Sequence, residues 1–164
     1  MPDAPFVSVI VVNWNGERLL KPCLQSLVEQ TYTHREILLV DNGSTDSSVR
    51  LVRALFPQII VVQLPSNTGF TGGNIAGLNA SKGDFIFLVN NDARIDPRCL
   101  ELLVQGMAQD RHTGICAPKI LVEGTNHRLN SAGHGLTTAG AGFNRGSGRT
   151  AASYSTPEFV FGAC

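Results

Sequence analysis

The chain has 164 residues, enough for one domain whose core closes without a metal or a disulfide, and too few for two full domains. Thirteen basic residues balance thirteen acidic ones, so net charge gives no reason to expect a nucleic acid or a membrane surface as partner. Four cysteines (Cys23, Cys99, Cys116 and Cys164) stand far apart with no Cys-x-x-Cys pair; this disfavours a zinc cluster or a disulfide scaffold and predicts reduced, mostly buried thiols in a cytosolic protein.

Phe6 to Val12 is a short apolar run rich in β-branched residues and reads as a buried strand. It lacks a basic lead-in and a small-residue cleavage site, so it is not a signal peptide, and no apolar stretch reaches the length of a bilayer span. Asn13-Trp-Asn-Gly16 breaks the strand, and apolar residues then recur at helical spacing from Glu17 to about Gln30. A second strand, Glu36 to Val40, ends at Asp41, and Asp41-Asn-Gly-Ser-Thr-Asp46 is turn chemistry with Ser44 or Thr45 as the expected cap of the next helix. Pro57 closes that helix, and Ile59 to Leu64 is a third strand. A small-residue helix is predicted from about Thr71 to Ala80, followed by a fourth strand, Asp84 to Val89, which stops at Asn90-Asn-Asp92. Pro97 opens a further helix as its first residue, running to about Gln109, and Gly114 to Ala117 is expected as a short fifth strand.

Strands alternating with helices through residue 117 predict an α/β fold, a mostly parallel sheet covered by helices on both faces. From Lys119 the texture changes, and the glycine-rich stretch 133–148 reads as a long loop or irregular hairpins. Glu158 to Cys164 resembles the start of another buried strand, so the chain is expected to be a C-terminally truncated single domain: 6–120 binds the ligand and 121–164 is an incomplete remainder.

In open α/β sheets ligands bind outside the carboxyl ends of the strands. Three polar clusters fall there: Asn13 to Gly16, Asp41 to Asp46, and Asn90 to Asp92. A carboxylate so placed can read a base edge, hold a ribose hydroxyl or ligate a divalent cation whose shell is completed by phosphate and water. Asp41 and Asp92 serve equally well as turn residues when each segment is read alone. No Gly-x-Gly-x-x-Gly follows the first strand and no P-loop is present. Gly69-Phe-Thr-Gly-Gly-Asn74 either lets backbone approach a ligand, with Asn74 supplying an amide, or uses small residues to pack a helix on the sheet. No nucleophile elbow surrounds Ser131, and His34, His112, His127 and His134 form no convincing metal pair.

Val7-Ser-Val-Ile-Val-Val-Asn-Trp-Asn-Gly16, Leu39-Val-Asp-Asn-Gly-Ser-Thr-Asp46, Asn67-Thr-Gly-Phe-Thr-Gly-Gly-Asn74 and Leu88-Val-Asn-Asn-Asp92, in this order, together resemble the family 2 glycosyltransferases of the GT-A fold. They are most similar to the rhamnosyltransferase-like branch that builds surface polysaccharides. The resemblance implies an inverting transfer from a UDP- or dTDP-sugar, rhamnose among them, to a saccharide or lipid-linked acceptor. It implies that Asp41 reads the pyrimidine and that Val12 and Asn13 line the nucleoside pocket; Asn15, Asn74 and Asn91 complete the candidate nucleotide-binding set. Asp92 takes the last position of an Asp-x-Asp motif and holds Mg²⁺ or Mn²⁺ on the diphosphate, although Asn90 replaces the first carboxylate. The catalytic base is expected beyond Cys164, and the setting is cytoplasmic, peripheral at the inner face of the membrane. A nucleotide-sugar binding module without turnover and a sugar-phosphate nucleotidyltransferase are the competing classes. The second would need a glycine-rich, basic loop where Asn13-Trp-Asn-Gly16 stands.

Overall fold

The computed structural model describes residues 4–125 and 127–156. It divides into two compact units, Met1–Glu101 and Leu102–Cys164.

The first unit is built on four strands: β1 (Val7–Asn13), β2 (Arg35–Asp41), β3 (Ile60–Gln63) and β4 (Phe85–Asn90). All pair in parallel in the order β3-β2-β1-β4. Helices α1 (Glu17–Val28), α2 (Ser48–Leu55) and α3 (Gly69–Ala80) connect them, and α4 (Cys99–Gln109) follows β4. The expected α/β architecture is therefore present. β1 is central and buried on both faces, which explains its continuous apolar run rather than an alternating one.

The order reverses after β3: β1 to β3 step one way along the sheet, and β4 returns to the other side of β1. Right-handed crossovers then require α3 to lie on the face opposite α1 and α2. The packing agrees. Ala76 and Ala80 of α3 lie on the Ile10, Leu38 and Val40 face. A Cβ on Gly77 would come within 2.5 Å of Ile10 Cγ2, and one on Gly73 within 2.6 Å of Val12 Cγ1. Gly73, Ala76, Gly77 and Ala80 thus let the helix pack closely on the sheet.

Helix starts differ from the sequence expectation in two places. Neither Ser44 nor Thr45 caps α2; the helix begins at Ser48, and Asp46 Oδ1 accepts the Ser48 N–H at 3.0 Å. Ser44 is diverted because its hydroxyl accepts N–H groups from the first loop, as described below. Pro97 is not the first residue of α4, which starts at Cys99. There the chain turns first, with Asp96 Oδ1 accepting the Arg98 N–H, and the buried Gln30 amide bonds both Asp96 O and the Leu100 N–H.

The second unit holds short antiparallel pairs: β5 (Ile120–Leu121) with β6 (Leu129–Ser131), and β7 (His134–Leu136) with β8 (Gly142–Asn144). The glycine-rich stretch is thus a hairpin followed by a turn. Arg145 lies over the Tyr154 ring at 5.0 Å instead of being solvated alone. Gly114 to Ala117 is not a strand: Ile115 is 84% exposed, and Pro118 removes a backbone donor just where pairing would have to continue. The predicted strand from Glu158 lies outside the described residues. Of the described thiols only Cys23 is buried; Cys99 is half-buried and Cys116 exposed, because Cys116 belongs to this irregular stretch.

Candidate nucleotide-binding site

The three polar clusters meet at the carboxyl edge of the first unit's sheet. Asn13 and Asp41 are register partners on adjacent strands and so share a face. Asp41 is 2% exposed, and its Oδ1 has no hydrogen-bond partner. Leaving a carboxylate oxygen dry and unpaired is costly, so such an atom points to a missing partner. The nearby helix starts are served by other carboxylates. Asp46 Oδ2 accepts the Glu17 N–H at 3.1 Å, and Glu17 Oε2 accepts the Ser47 N–H at 3.2 Å. Each carboxylate therefore covers the start of the other's helix.

Burial works against the Asp46 carboxylate, but hydrogen bonds from Ser48 and Glu17 outweigh it and hold its pKa below the ordinary value.

Asn15 carries a left-handed backbone, φ 50°, which Asn tolerates better than most residues. Its Oδ1 accepts the Thr45 N–H at 2.8 Å, and its own N–H donates to Ser44 Oγ at 2.9 Å. Asn42, also buried, donates to Asn67 Oδ1 and Gly69 O and accepts from the Thr68 N–H and hydroxyl. That set of bonds pins the loop before α3 to the end of β2. Gly43, φ +76°, lies against this loop: a Cβ there would come within 2.6 Å of the Ser66 backbone.

Asn90 to Ala93 is a β-turn closed by the Ala93 N–H on Asn90 O at 3.1 Å. Its two central side chains differ. Asn91 turns inward and donates to Asn13 Oδ1 at 2.9 Å, whereas Asp92 is exposed. Burial, with a smaller contribution from the Asp92 charge, pushes the Cys23 thiol beneath this turn up to about 12. Val12 is half-buried under Gly73, and the Asn74 side chain donates to Phe70 O within α3.

Among the described residues no group of three or more His, Cys, Asp or Glu side chains could hold a metal unaided. One exposed carboxylate at a strand end suits a hard cation that brings phosphate and water ligands with it. The donor set therefore fits a metal carried by a diphosphate and does not fit a resident all-protein site.

Sequence reasoning passed over Trp14. It follows Asn13 directly, is 56% exposed, and stands beside the strand end that carries Asp41. A large indole left open at a strand end can stack on a planar ring. The signal was present as the chain's single tryptophan inside a polar strand-end cluster.

The family model for glycosyl transferase family 2 matches residues 8–155. The chain belongs to this family. It is 31% identical over 102 residues to the glycosyltransferase GlyG of Streptococcus pneumoniae, covering 60% of this chain and 34% of that protein. Its fold is similar to that of S. aureus TarS 1–349 in complex with UDP, with TM-score 0.66, 25% identity, and coverage of 73% of this chain and 37% of the other. It is also similar in fold to the mannosyltransferase PcManGT of Pyrobaculum calidifontis in complex with GDP-Man and Mn²⁺, with TM-score 0.64, 23% identity, and coverage of 74% and 37%. The family 2 chain thus spans about a third of the length of these proteins.

Proposed function

We propose that this family 2 chain is the donor-binding part of an inverting glycosyltransferase. The donor is a UDP- or dTDP-sugar, and the rhamnosyltransferase-like motifs favour rhamnose. The acceptor is a saccharide or lipid-linked saccharide of a surface polysaccharide. The observation that carries the reading is the buried Asp41 carboxylate, whose unpartnered Oδ1 lies at the carboxyl edge of the sheet.

In this reading Asp41 accepts the N3–H of the pyrimidine and Trp14 stacks on the ring. Val12, Asn15 and Asn74 wall the nucleoside pocket, and Asn13 and Asn91 form its floor. Asp92 would hold Mg²⁺ or Mn²⁺ on the diphosphate, where such a cation would supply charge neutralisation for the leaving group. The displacement is in line: the acceptor oxygen bonds to the anomeric carbon as the bond to the diphosphate breaks, and the acceptor proton passes to a carboxylate base. The presence of UDP in the TarS structure supports the donor class. The reading places the reaction in the cytoplasm, at the inner face of the membrane. No helix among the described residues is long and apolar enough to cross a bilayer.

Calorimetric titration of UDP and dTDP, with and without Mn²⁺, tests the reading. Asp41→Ala is expected to weaken both nucleotides at least tenfold, whereas Asp92→Ala abolishes only the Mn²⁺-dependent gain. Unchanged affinity in Asp41→Ala alongside a lowered melting temperature would make Asp41 a turn residue and overturn the assignment.

A further inference from the structure

Three strand-end loops converge on one buried amide. Asn13 has no exposed surface, yet it makes three hydrogen bonds. Its Oδ1 accepts from Asn91 Nδ2 at 2.9 Å, its Nδ2 donates to Ser44 Oγ at 3.3 Å, and its backbone oxygen accepts the Asn42 N–H at 2.8 Å. Ser44 Oγ also accepts the Asn15 N–H. The Asn13 side chain therefore joins the turn after β4 to the loop after β2, which carries Asp41. Asn13 and Asn91 are 78 residues apart in sequence.

The position of this bond in the fold is specific. β1 and β4 are neighbouring parallel strands, and their register ends at Val12 and Asn90, one residue short of Asn13 and Asn91. The Asn13–Asn91 bond ties the two strand ends together just past that ladder.

Gly16 shows independently that space is reserved for this tie. A Cβ at Gly16 would lie 2.3 Å from Asn13 Oδ1 and 2.5 Å from Asn91 Nδ2, closer than real Cβ atoms come. The glycine's φ of −105° is open to any residue, so the absent side chain serves the amide pair and not the backbone.

We propose that the Asn13–Asn91 amide pair is a positioning device that sets the Asp92 turn in register with the Asp41 pocket, so that base and metal-bound diphosphate are held as one ligand. The inference rests on the nucleotide-binding reading above and deepens it. By turning Asn91 inward the pair fixes the direction of its neighbour Asp92. Misplacing a ligating carboxylate by about 1 Å is enough to cost on the order of a hundredfold in a positioned site. Neither amide need touch the ligand for this effect.

The test is a titration of UDP and dTDP, each with and without Mn²⁺, and of uridine and thymidine, on wild type, Asn13→Ala, Asn91→Ala, the double variant and Gly16→Ala. The expected result is a tenfold or greater loss of the Mn²⁺-dependent gain for the diphosphates in every variant, exceeding whatever loss of uridine and thymidine affinity the same variant shows. The double variant should be no weaker than the poorer single one, because both remove the same bond. Should Gly16→Ala or Asn13→Ala fail to fold, Asn91→Ala, whose side chain is only half-buried, decides alone. An intact Mn²⁺ gain in Asn91→Ala overturns the proposal, as does equal weakening of nucleosides and diphosphates, which marks a purely structural bond. A wild type that binds none of the four probes overturns the nucleotide reading itself, and the proposal with it.

Discussion

Glu17 and Asp46 cap each other's helices: the Glu17 N–H donates to Asp46, and the Glu17 carboxylate accepts the Ser47 N–H at the start of α2. The loops after β1 and β2 are thereby fastened together beside the site, and the two helix starts are filled by the protein's own carboxylates.

Asp46→Asn is expected to destabilise the fold by about 1 kcal/mol, the net worth of one hydrogen bond, because both carboxylate oxygens accept backbone N–H groups and an amide keeps a single acceptor oxygen, as read by urea denaturation at pH 7. The sign with pH follows from the lowered carboxyl. Its folded pKa lies below the ordinary 3.8, so its contribution is present above that value and is lost as pH falls through the folded one. The gap between wild type and Asp46→Asn should therefore narrow below pH 4 and stay constant from pH 5 to 8; a gap that widens on acidification would contradict the capping account.

Gly43→Ala meets two obstacles at once. A left-handed backbone costs an L residue about 1–2 kcal/mol, and the new Cβ would press on the Ser66 and Asn67 backbone. A loss of at least about 2 kcal/mol is expected. Nucleotide affinity should fall with it, because Gly43 lies two residues from Asp41. A variant as stable as wild type would show that the two loops do not bear on each other.

Cys23 and Cys116 should separate chemically. At pH 8 a maleimide is expected to label the exposed Cys116 and spare Cys23, whose thiol is buried and pushed up to about 12. A raised folded pKa means a contribution fully present below the ordinary 9.0 and lost as pH rises toward 12. Wild type should accordingly lose more stability than Cys23→Ala between pH 9 and 12, measured by thermal melts.

Trp14 is the chain's single tryptophan, so its fluorescence reports the site without labelling. Adding UDP or dTDP is expected to quench it saturably, and Trp14→Ala should weaken either nucleotide by about 1–3 kcal/mol, the usual range for base stacking. A flat titration in a protein shown by calorimetry to bind would remove Trp14 from the pocket.

The sequence alone determined the alternation of strands and helices through residue 109, since apolar periodicity and strand-end polar clusters are local properties of the chain. It also placed Asp41 and Asp92 at strand ends, and its four motifs in order were enough to suggest the family. Tertiary structure decided everything that depends on which strands are neighbours. The order β3-β2-β1-β4 brings Asn91 to Asn13 across 78 residues, and no local pattern encodes that meeting. It also gave Gly73 and Gly77 of α3 a packing role, with Val12 and Ile10 beneath them. The cap of α2 was misjudged for the same reason: Ser44 was already held by Asn13 and Asn15 from another loop, and Asp46 took its place. A side chain's partner is set by the packed neighbour that satisfies it, and for these loops that neighbour belongs to another strand.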